Sequence, residues 1–113
     1  SFLVCYTFGK GEQMSTDELI DSVISWGFKH GINNPIKQYA KVNEEIGEIA
    51  HELTRDRLHS AEMMDALGDT MVTLVILADI LHFDIRDCLA EAYEQIKDRE
   101  GKTVDGCFVK EEQ

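Results

Sequence analysis

Apolar residues recur every three or four positions in four successive segments of the chain, which is the spacing of amphipathic helices. The first segment predicts a helix from Ser15 or Thr16 to Lys29, with acidic residues in its first turn. The second predicts a helix from Pro35, a residue suited to a first helical turn, to about Leu53. Its apolar stripe, which we expect to face the core, comprises Tyr39, Val42, Ile46, Ile49 and Leu53.

The third segment predicts a helix over roughly residues 61–82, with Ser60 as its N-cap. Apolar residues occupy every face of this helix between Met71 and Leu81, and a helix that is apolar all round is a buried one. Three companion helices of this size would not cover it completely. We therefore expect another copy of the chain as the cover, in a homodimer or homotetramer.

The last segment predicts a fourth helix from Ile85 to Arg99. In the tail, Asp105-Gly106 is flanked by residues that favour strands, which indicates a short hairpin. The sequence thus predicts an all-α, four-helix bundle-like, oligomeric fold with a short C-terminal tail or hairpin.

We expect one helical domain over residues 15–113, preceded by a leader over residues 1–14. The first methionine is Met14, and the apolar start of the chain lacks the positive region and cleavage site of a signal peptide. We expect the leader to be an added segment, a disordered one, or one read from upstream of the natural start, with no part in the function.

Charge and cysteine content narrow the classes of partner. The chain has 22 acidic and 11 basic residues, a formal net charge of −11, which argues against binding a nucleic-acid polymer. No apolar run approaches the roughly 18 residues of a membrane-spanning helix, so we expect no membrane partner. The three cysteines form no CxxC or zinc-ligand pattern, which predicts reduced thiols and a cytoplasmic protein.

Acidic residues cluster on two of the predicted helices. The cluster comprises Glu45, Glu48 and Glu52, within about 60° of one another, and Glu62, Asp65 and Asp69, spaced three and four apart. The second face continues into apolar residues, so its acids are at least partly buried. Half-buried carboxylates repel one another unless a cation neutralises them. Ligands that offer only oxygen suit Mg²⁺, with Mn²⁺ as an alternative.

Two other interpretations of these residues stay open at this point. The acids are solvated in a non-catalytic helical oligomerisation module, or the chain is a ferritin-like di-iron bundle. Glu48 and His51 form an ExxH motif, and Asp79 and His82 form a DxxH analogue. The di-iron interpretation is the weaker of the two, because Asp79 lies about 15 Å along the third helix from Asp69. The first and fourth predicted helices also offer no matching pair of Glu.

The order of these motifs resembles the MazG-like superfamily of all-α nucleotide pyrophosphohydrolases, which includes phosphoribosyl-ATP pyrophosphohydrolase and the dimeric dUTPases. The matching residues are Gln38, Lys41, Glu45 and Glu48, then Leu67-Gly68-Asp69 at the start of a long apolar helix. The tail over residues 96–110 is similar to small phage and integron-type members. The resemblance covers roughly residues 16–112, and it implies Mg²⁺-dependent cleavage of an NTP or dNTP to monophosphate and pyrophosphate.

The family pattern, ExxE followed by ExxD, implies the metal ligands. Glu45 and Glu48 match its first half, and Asp69 matches its final Asp. Ala66 stands where the pattern has its third Glu, so we take Asp65, one turn before Asp69, as the substitute ligand.

Glu62 is the reserve for that ligand position. The resemblance further implies a carboxylate that accepts a proton from the attacking water, which we assign to Glu44 or Glu48. Glu45 and Asp69 complete the predicted catalytic set. The predicted substrate-binding residues are Lys41, Trp26, Lys97, Arg99 and Lys102; the alternative is that the cations are solvated or serve the helix dipole, and that Trp26 is a core residue.

Overall fold

The computed structural model describes residues 6–8 and 12–111, and its fold is all-α, as predicted. The four helices are α1 (Thr16–Lys29), α2 (Pro35–Thr54), α3 (Ala61–Ile80) and α4 (Ile85–Ile96). Two small antiparallel strand pairs flank them, formed by β1 (Tyr6–Phe8) with β2 (Glu12–Met14) and by β3 (Gly101–Val104) with β4 (Cys107–Lys110). Strands β1 and β2 were not predicted from the sequence, and the rest of the leader lies outside the described residues.

Local capping interactions explain where the helices begin. The N-cap side chains accept a hydrogen bond from a backbone N–H of the first turn, and they belong to Ser15, Asn34, Ser60 and Asp84. Ser15 also forms a capping box with Glu18. These starts match the predicted ones, whereas α4 ends at Ile96, three residues before the predicted Arg99.

Helices α1 to α3 belong to one compact unit, and α4 with the C-terminal hairpin belongs to another. Within the first unit, α2 and α3 pack as an antiparallel pair joined by a linker over residues 55–60. Near one end of the pair, the buried Nε2 of Gln38 donates a hydrogen bond to the carbonyl oxygen of Thr73 at 3.2 Å. Glu45 lies seven residues after Gln38, and Ala66 lies seven residues before Thr73, so the antiparallel register places Glu45 level with Ala66.

Helix α2 does not bury the whole apolar stripe that the sequence predicts. Val42 is buried and Ile49 is partly buried, but Tyr39, Ile46 and Leu53 are about half exposed. The positions of α2 that lose most solvent are instead Gln38, Val42, Glu45, Ile49 and Glu52. The reason is that α2 is apolar over two adjoining faces, and α3 covers one of them.

Helix α1 packs on α3 through a close contact at a glycine. Gly27 is buried, and a Cβ built on it would lie 3.1 Å from Cγ1 of Ile76. Ile76 lies seven residues beyond Asp69 on the same face of α3. The acidic face of α3 therefore becomes apolar toward the end of the helix, and α1 covers that apolar part.

The second unit contains the predicted hairpin. Asp105 and Gly106 both have positive φ, 49° and 79°, as a two-residue turn between β3 and β4 requires. Cys88 and Cys107 are free thiols. Among residues 6–8 and 12–111, no single helix is long and apolar enough to cross a membrane; α3 and α4 reach that length and composition only when taken together.

The α1–α3 contact predicts opposite effects for two glycine substitutions. Gly27→Val should lower the free energy of unfolding by about 1–3 kcal/mol, because the branched side chain overlaps Ile76. Gly47→Ala should raise it by about 0.5–1 kcal/mol, because a Cβ at this position of α2 meets nothing within 4 Å. Urea denaturation measures both. A Gly27→Val protein as stable as the wild type would contradict the packing of α1 on α3.

Candidate active site

A pocket of about 320 Å³ lies between α2 and α3, toward the linker that joins them. We call it the acidic pocket, because six carboxylates and one alanine line it: Glu45, Glu48, Glu52, Glu62, Asp65, Ala66 and Asp69. The pocket thus brings together the four residues predicted as metal ligands and the reserve residue Glu62.

The small side chain of Ala66 makes room for this pocket. Ala66 is 4% exposed and lies level with Glu45 across the α2–α3 pair. Because a methyl group fills little of the space between the helices, carboxylates from both sides project toward one volume. The position that departs from the family pattern is therefore part of the pocket wall.

The electrostatics of the acidic pocket oppose ionisation of its carboxyl groups. Burial raises the pKa of Asp69, and the charge of Asp65 and a hydrogen bond between the two carboxyl groups raise it further. Burial also raises the pKa of Glu45, with further contributions from the charges of Asp69 and Glu44, while Lys41 acts in the opposite direction. The pocket therefore concentrates negative charge that lacks a sufficient counterion.

The chemical type of the ligand atoms in the pocket suits a hard divalent cation. All six side chains offer oxygen, the ligand that Mg²⁺ and Mn²⁺ prefer. Among the described residues, no three His, Cys, Asp or Glu side chains converge closely enough to hold an ion as they stand. Glu48 and Asp65 are exposed, so these two side chains have room to turn toward an ion that relieves the repulsion in the pocket.

Glu52, which lines the pocket, forms an ion pair with Arg57 that was not predicted from the sequence. Nη2 of Arg57 lies 3.0 Å from Oε1 of Glu52, and Nε lies 2.6 Å from Oε2. Glu52 is 6% exposed, and within residues 12–111 no other carboxylate of the pocket has an ion pair. Arg57 lies in the linker, where helical periodicity gives no signal; its excess of charged residues was the only indication.

Three of the predicted residues lie away from the pocket lining. Lys41 and Glu44 are exposed and pair with each other, with Nζ 3.3 Å from Oε2. Trp26 is 50% exposed near the end of α1, and its ring contacts the ring of His30 at a tilt of 34°, with a centroid distance of 4.4 Å. Nδ1 of His30 also lies 2.8 Å from the carbonyl oxygen of Trp26. The indole is therefore held in place while one side of it remains accessible.

The remaining predicted substrate contacts belong to the second unit. Nζ of Lys97 pairs with Glu94 at 2.8 Å. Arg99 and Lys102, together with Lys110, line a cavity of about 620 Å³ along the C-terminal hairpin. Their role in binding substrate stays a prediction.

Comparison with known proteins identifies the family. The profile of the MazG nucleotide pyrophosphohydrolase domain matches residues 34–104, which is more than half of the 113 residues and includes the whole acidic pocket. The chain belongs to the MazG family. No curated protein and no solved structure matches it.

Membership confirms the resemblance seen in the sequence. A MazG protein is a nucleotide pyrophosphohydrolase, a hydrolase that acts on phosphoric anhydrides, and members of the family generally use divalent metal ions. The chain is therefore an enzyme, and the alternatives of a non-catalytic oligomerisation module and of a di-iron bundle lose their support.

The raised pKa of Asp69 predicts how pH affects the metal-free protein. A carboxyl group whose pKa is higher in the folded state loses stabilising free energy as the pH rises from its usual value of 3.8 through the folded value. In a chelator, Asp69→Asn should remove this loss, so its melting temperature at neutral pH should equal or exceed that of the wild type.

Asp98→Asn, which removes the same charge from an exposed residue after α4, is the matched control. Thermal unfolding of the three proteins from about pH 4 to neutrality provides the comparison. If Asp69→Asn melts well below the wild type across this whole range, Asp69 is a structural hydrogen-bonding residue and the repulsion argument is wrong.

Proposed function

We propose that this MazG enzyme hydrolyses a nucleoside triphosphate, either an NTP or a dNTP, to the monophosphate and pyrophosphate with Mg²⁺, in the housekeeping of the cytoplasmic nucleotide pool. The observation that carries the proposal is the acidic pocket, in which the carboxylates face one another across two helices of the family's domain. A polyphosphate is itself an anion, so it can approach these carboxylates only together with cations. Mn²⁺ is the alternative metal.

Glu45, Glu48, Asp65 and Asp69 would hold the metal. When bound, the ion would neutralise charge on the phosphates and lower the pKa of a water molecule. Glu48 is exposed at the pocket and has no ion pair among residues 12–111, so its carboxylate is the better placed of the two candidates to accept a proton. Glu44 is the second candidate, but it lies outside the pocket lining and pairs with Lys41.

Other side chains are proposed to contact the nucleotide. The accessible, oriented ring of Trp26 suits stacking on a base. Cations suit the phosphates, and the proposed ones are Lys41, Lys97, Arg99 and Lys102.

Product analysis tests the proposed reaction. With a deoxynucleoside triphosphate and Mg²⁺, chromatography should show monophosphate and pyrophosphate, whereas diphosphate with orthophosphate would refute cleavage at the α-phosphorus. Asp69→Asn should abolish both the activity and the stabilisation by Mg²⁺. In the wild type, that stabilisation should reach about 2.7 kcal/mol at a hundredfold excess over Kd.

The fourth metal ligand can be located by the same measurements. Asp65→Asn should behave like Asp69→Asn if Asp65 replaces the carboxylate that is missing at Ala66. If Asp65→Asn instead retains the response to Mg²⁺ and Glu62→Gln loses it, the ligand is Glu62.

We also propose that a second copy of the chain covers an apolar face of the α2–α3 pair. This apolar face consists of two rows of half-exposed to mostly exposed side chains: Ile36, Tyr39, Ile46 and Leu53 on α2, and Met64, Leu67, Met71 and Leu74 on α3. The spacing within each row is three, four or seven residues, which is the repeat of helices that pack along their length.

Helix geometry supports a single continuous face. Tyr39 follows the inward-facing Gln38 by one residue, and Leu74 follows Thr73, so each lies about 100° around its helix from the contact between the two helices. Because the helices are antiparallel, the same rotation takes both rows to the same side of the pair. Glu48 and Asp69, three positions beyond Glu45 and Ala66, lie about 60° around their helices in the opposite sense, and so on the other side of the pair.

The apolar face has the size of a stable interface. Two 20-residue helices side by side cover roughly 30 Å by 20 Å, so two copies would bury about 1,200 Å² in total. This value lies at the lower end of the range for specific interfaces, and it favours at least a dimer.

Light scattering tests this assembly. The wild type at micromolar concentration should have at least twice the 12.8 kDa mass of the chain. Leu67→Lys should shift it toward the monomer, since it places a charge in the apolar face. Leu58→Lys, in the exposed linker, is the matched control and should retain the assembly. A monomeric wild type would refute the proposal.

A further inference from the structure

We propose that Arg57 is a phosphate-binding residue that Glu52 orients, and that it contacts the polyphosphate of the substrate and the pyrophosphate product. This inference rests on the proposed function, because it names the chemical group of the nucleotide that the residue recognises. Neither Arg57 nor Glu52 belongs to the family pattern of ExxE followed by ExxD.

The backbone of Arg57 is tied to both helices of the acidic pocket. Its N–H donates a hydrogen bond to the carbonyl oxygen of Glu52 at 3.1 Å, at the end of α2. Its carbonyl oxygen accepts a hydrogen bond from Oγ of Ser60 at 3.1 Å, and the same Oγ caps α3 by accepting from the N–H of Met63 at 3.0 Å. The linker therefore holds this residue in one position relative to the two helices that carry the carboxylates.

The guanidinium group is oriented but not saturated. Nη2 donates a hydrogen bond to Oε1 of Glu52, whereas Nε lies 2.6 Å from Oε2 in an ion pair without hydrogen-bond geometry. Both N–H donors of Nη1 and the second donor of Nη2 have no partner among residues 12–111, and the Arg57 side chain is 42% exposed. A ligand can therefore bind them while the ion pair with Glu52 stays intact.

The charge balance of the pocket explains why such a residue is needed. Glu52 is buried, and its charge is neutralised by Arg57, so the pair adds no net negative charge to the pocket. The other five carboxylates repel a polyphosphate, whose complex with one divalent cation is still an anion. Guanidinium binds phosphate through paired hydrogen bonds and keeps its charge at every physiological pH. Arg57 does not itself line the pocket, but among residues 12–111 it is the one cation that forms an ion pair with a carboxylate of the lining.

A purely structural role for Arg57 as a clamp of the linker is the competing explanation. Arg57→Gln alone does not separate the two, because it leaves Glu52 buried without its counterion and so destabilises the fold. The informative variant is Glu52→Gln with Arg57→Gln, which removes both charges. Its matched control is Glu52→Gln with Arg55→Gln, which has the same net charge and alters an exposed arginine two residues away in the same linker.

The readout is the binding of inorganic pyrophosphate in the presence of Mg²⁺, measured by isothermal titration calorimetry. The Glu52→Gln/Arg57→Gln protein should bind it about tenfold more weakly than the Glu52→Gln/Arg55→Gln protein, the effect of losing one charge-assisted hydrogen bond. Its KM for a nucleoside triphosphate should rise by a similar factor. The affinity of Arg57→Lys for pyrophosphate should lie between that of the wild type and that of the Glu52→Gln/Arg57→Gln protein. Mg²⁺ alone should raise the melting temperature of both double variants equally.

Equal affinities of the two double variants for pyrophosphate would overturn the proposal and leave Arg57 as a linker clamp. This result is distinguishable from a failure of the proposed function. If the wild type releases no pyrophosphate from any triphosphate, the proposed reaction is wrong, while the binding comparison still decides the role of Arg57.

Discussion

The antiparallel contact between α2 and α3 determines where every other feature of the first unit lies. Its inward positions on α2 alternate in steps of four and three residues, and they include the polar residues Gln38, Glu45 and Glu52 as well as apolar ones. The hydrogen bond from Gln38 to the Thr73 carbonyl oxygen is buried, so a shift of register would leave a buried amide unsatisfied, which costs about 1–3 kcal/mol. One polar side chain thereby holds Glu45 level with Ala66.

The carboxylates that this arrangement brings together lower the stability of the metal-free fold. At one end of the pair, apolar packing continues onto α1 through Gly27 and Ile76, and at the other end the same faces carry carboxylates. Burial and mutual repulsion raise the pKa of Glu45 and of Asp69, so folding without a cation works against their ionisation. A cation that binds at this site would therefore be thermodynamically coupled to folding.

Local chemistry made much of the fold predictable, and tertiary packing decided the rest. Capping residues such as Ser15 and Ser60 act within one helical turn, so the sequence gives the helix starts directly. The choice between the two apolar faces of α2 depends on which one meets α3, and periodicity does not reveal it. Arg57 depends on the linker conformation: Asp56 adopts a positive φ of 56°, and the next N–H returns to the carbonyl oxygen of Glu52.

The same two helices carry the acidic pocket and the apolar face on opposite sides of their contact. Glu48 and Asp69 lie about 60° to one side of Glu45 and Ala66, whereas Ile46 and Leu67 lie about 100° to the other side. In the proposed assembly, a second copy would pack on the apolar face of α2 and α3, and the separation of these two helices sets the width of the pocket. Since packed helices move as rigid bodies, the side chains of the apolar face would restrict the spacing of the carboxylates without touching the substrate.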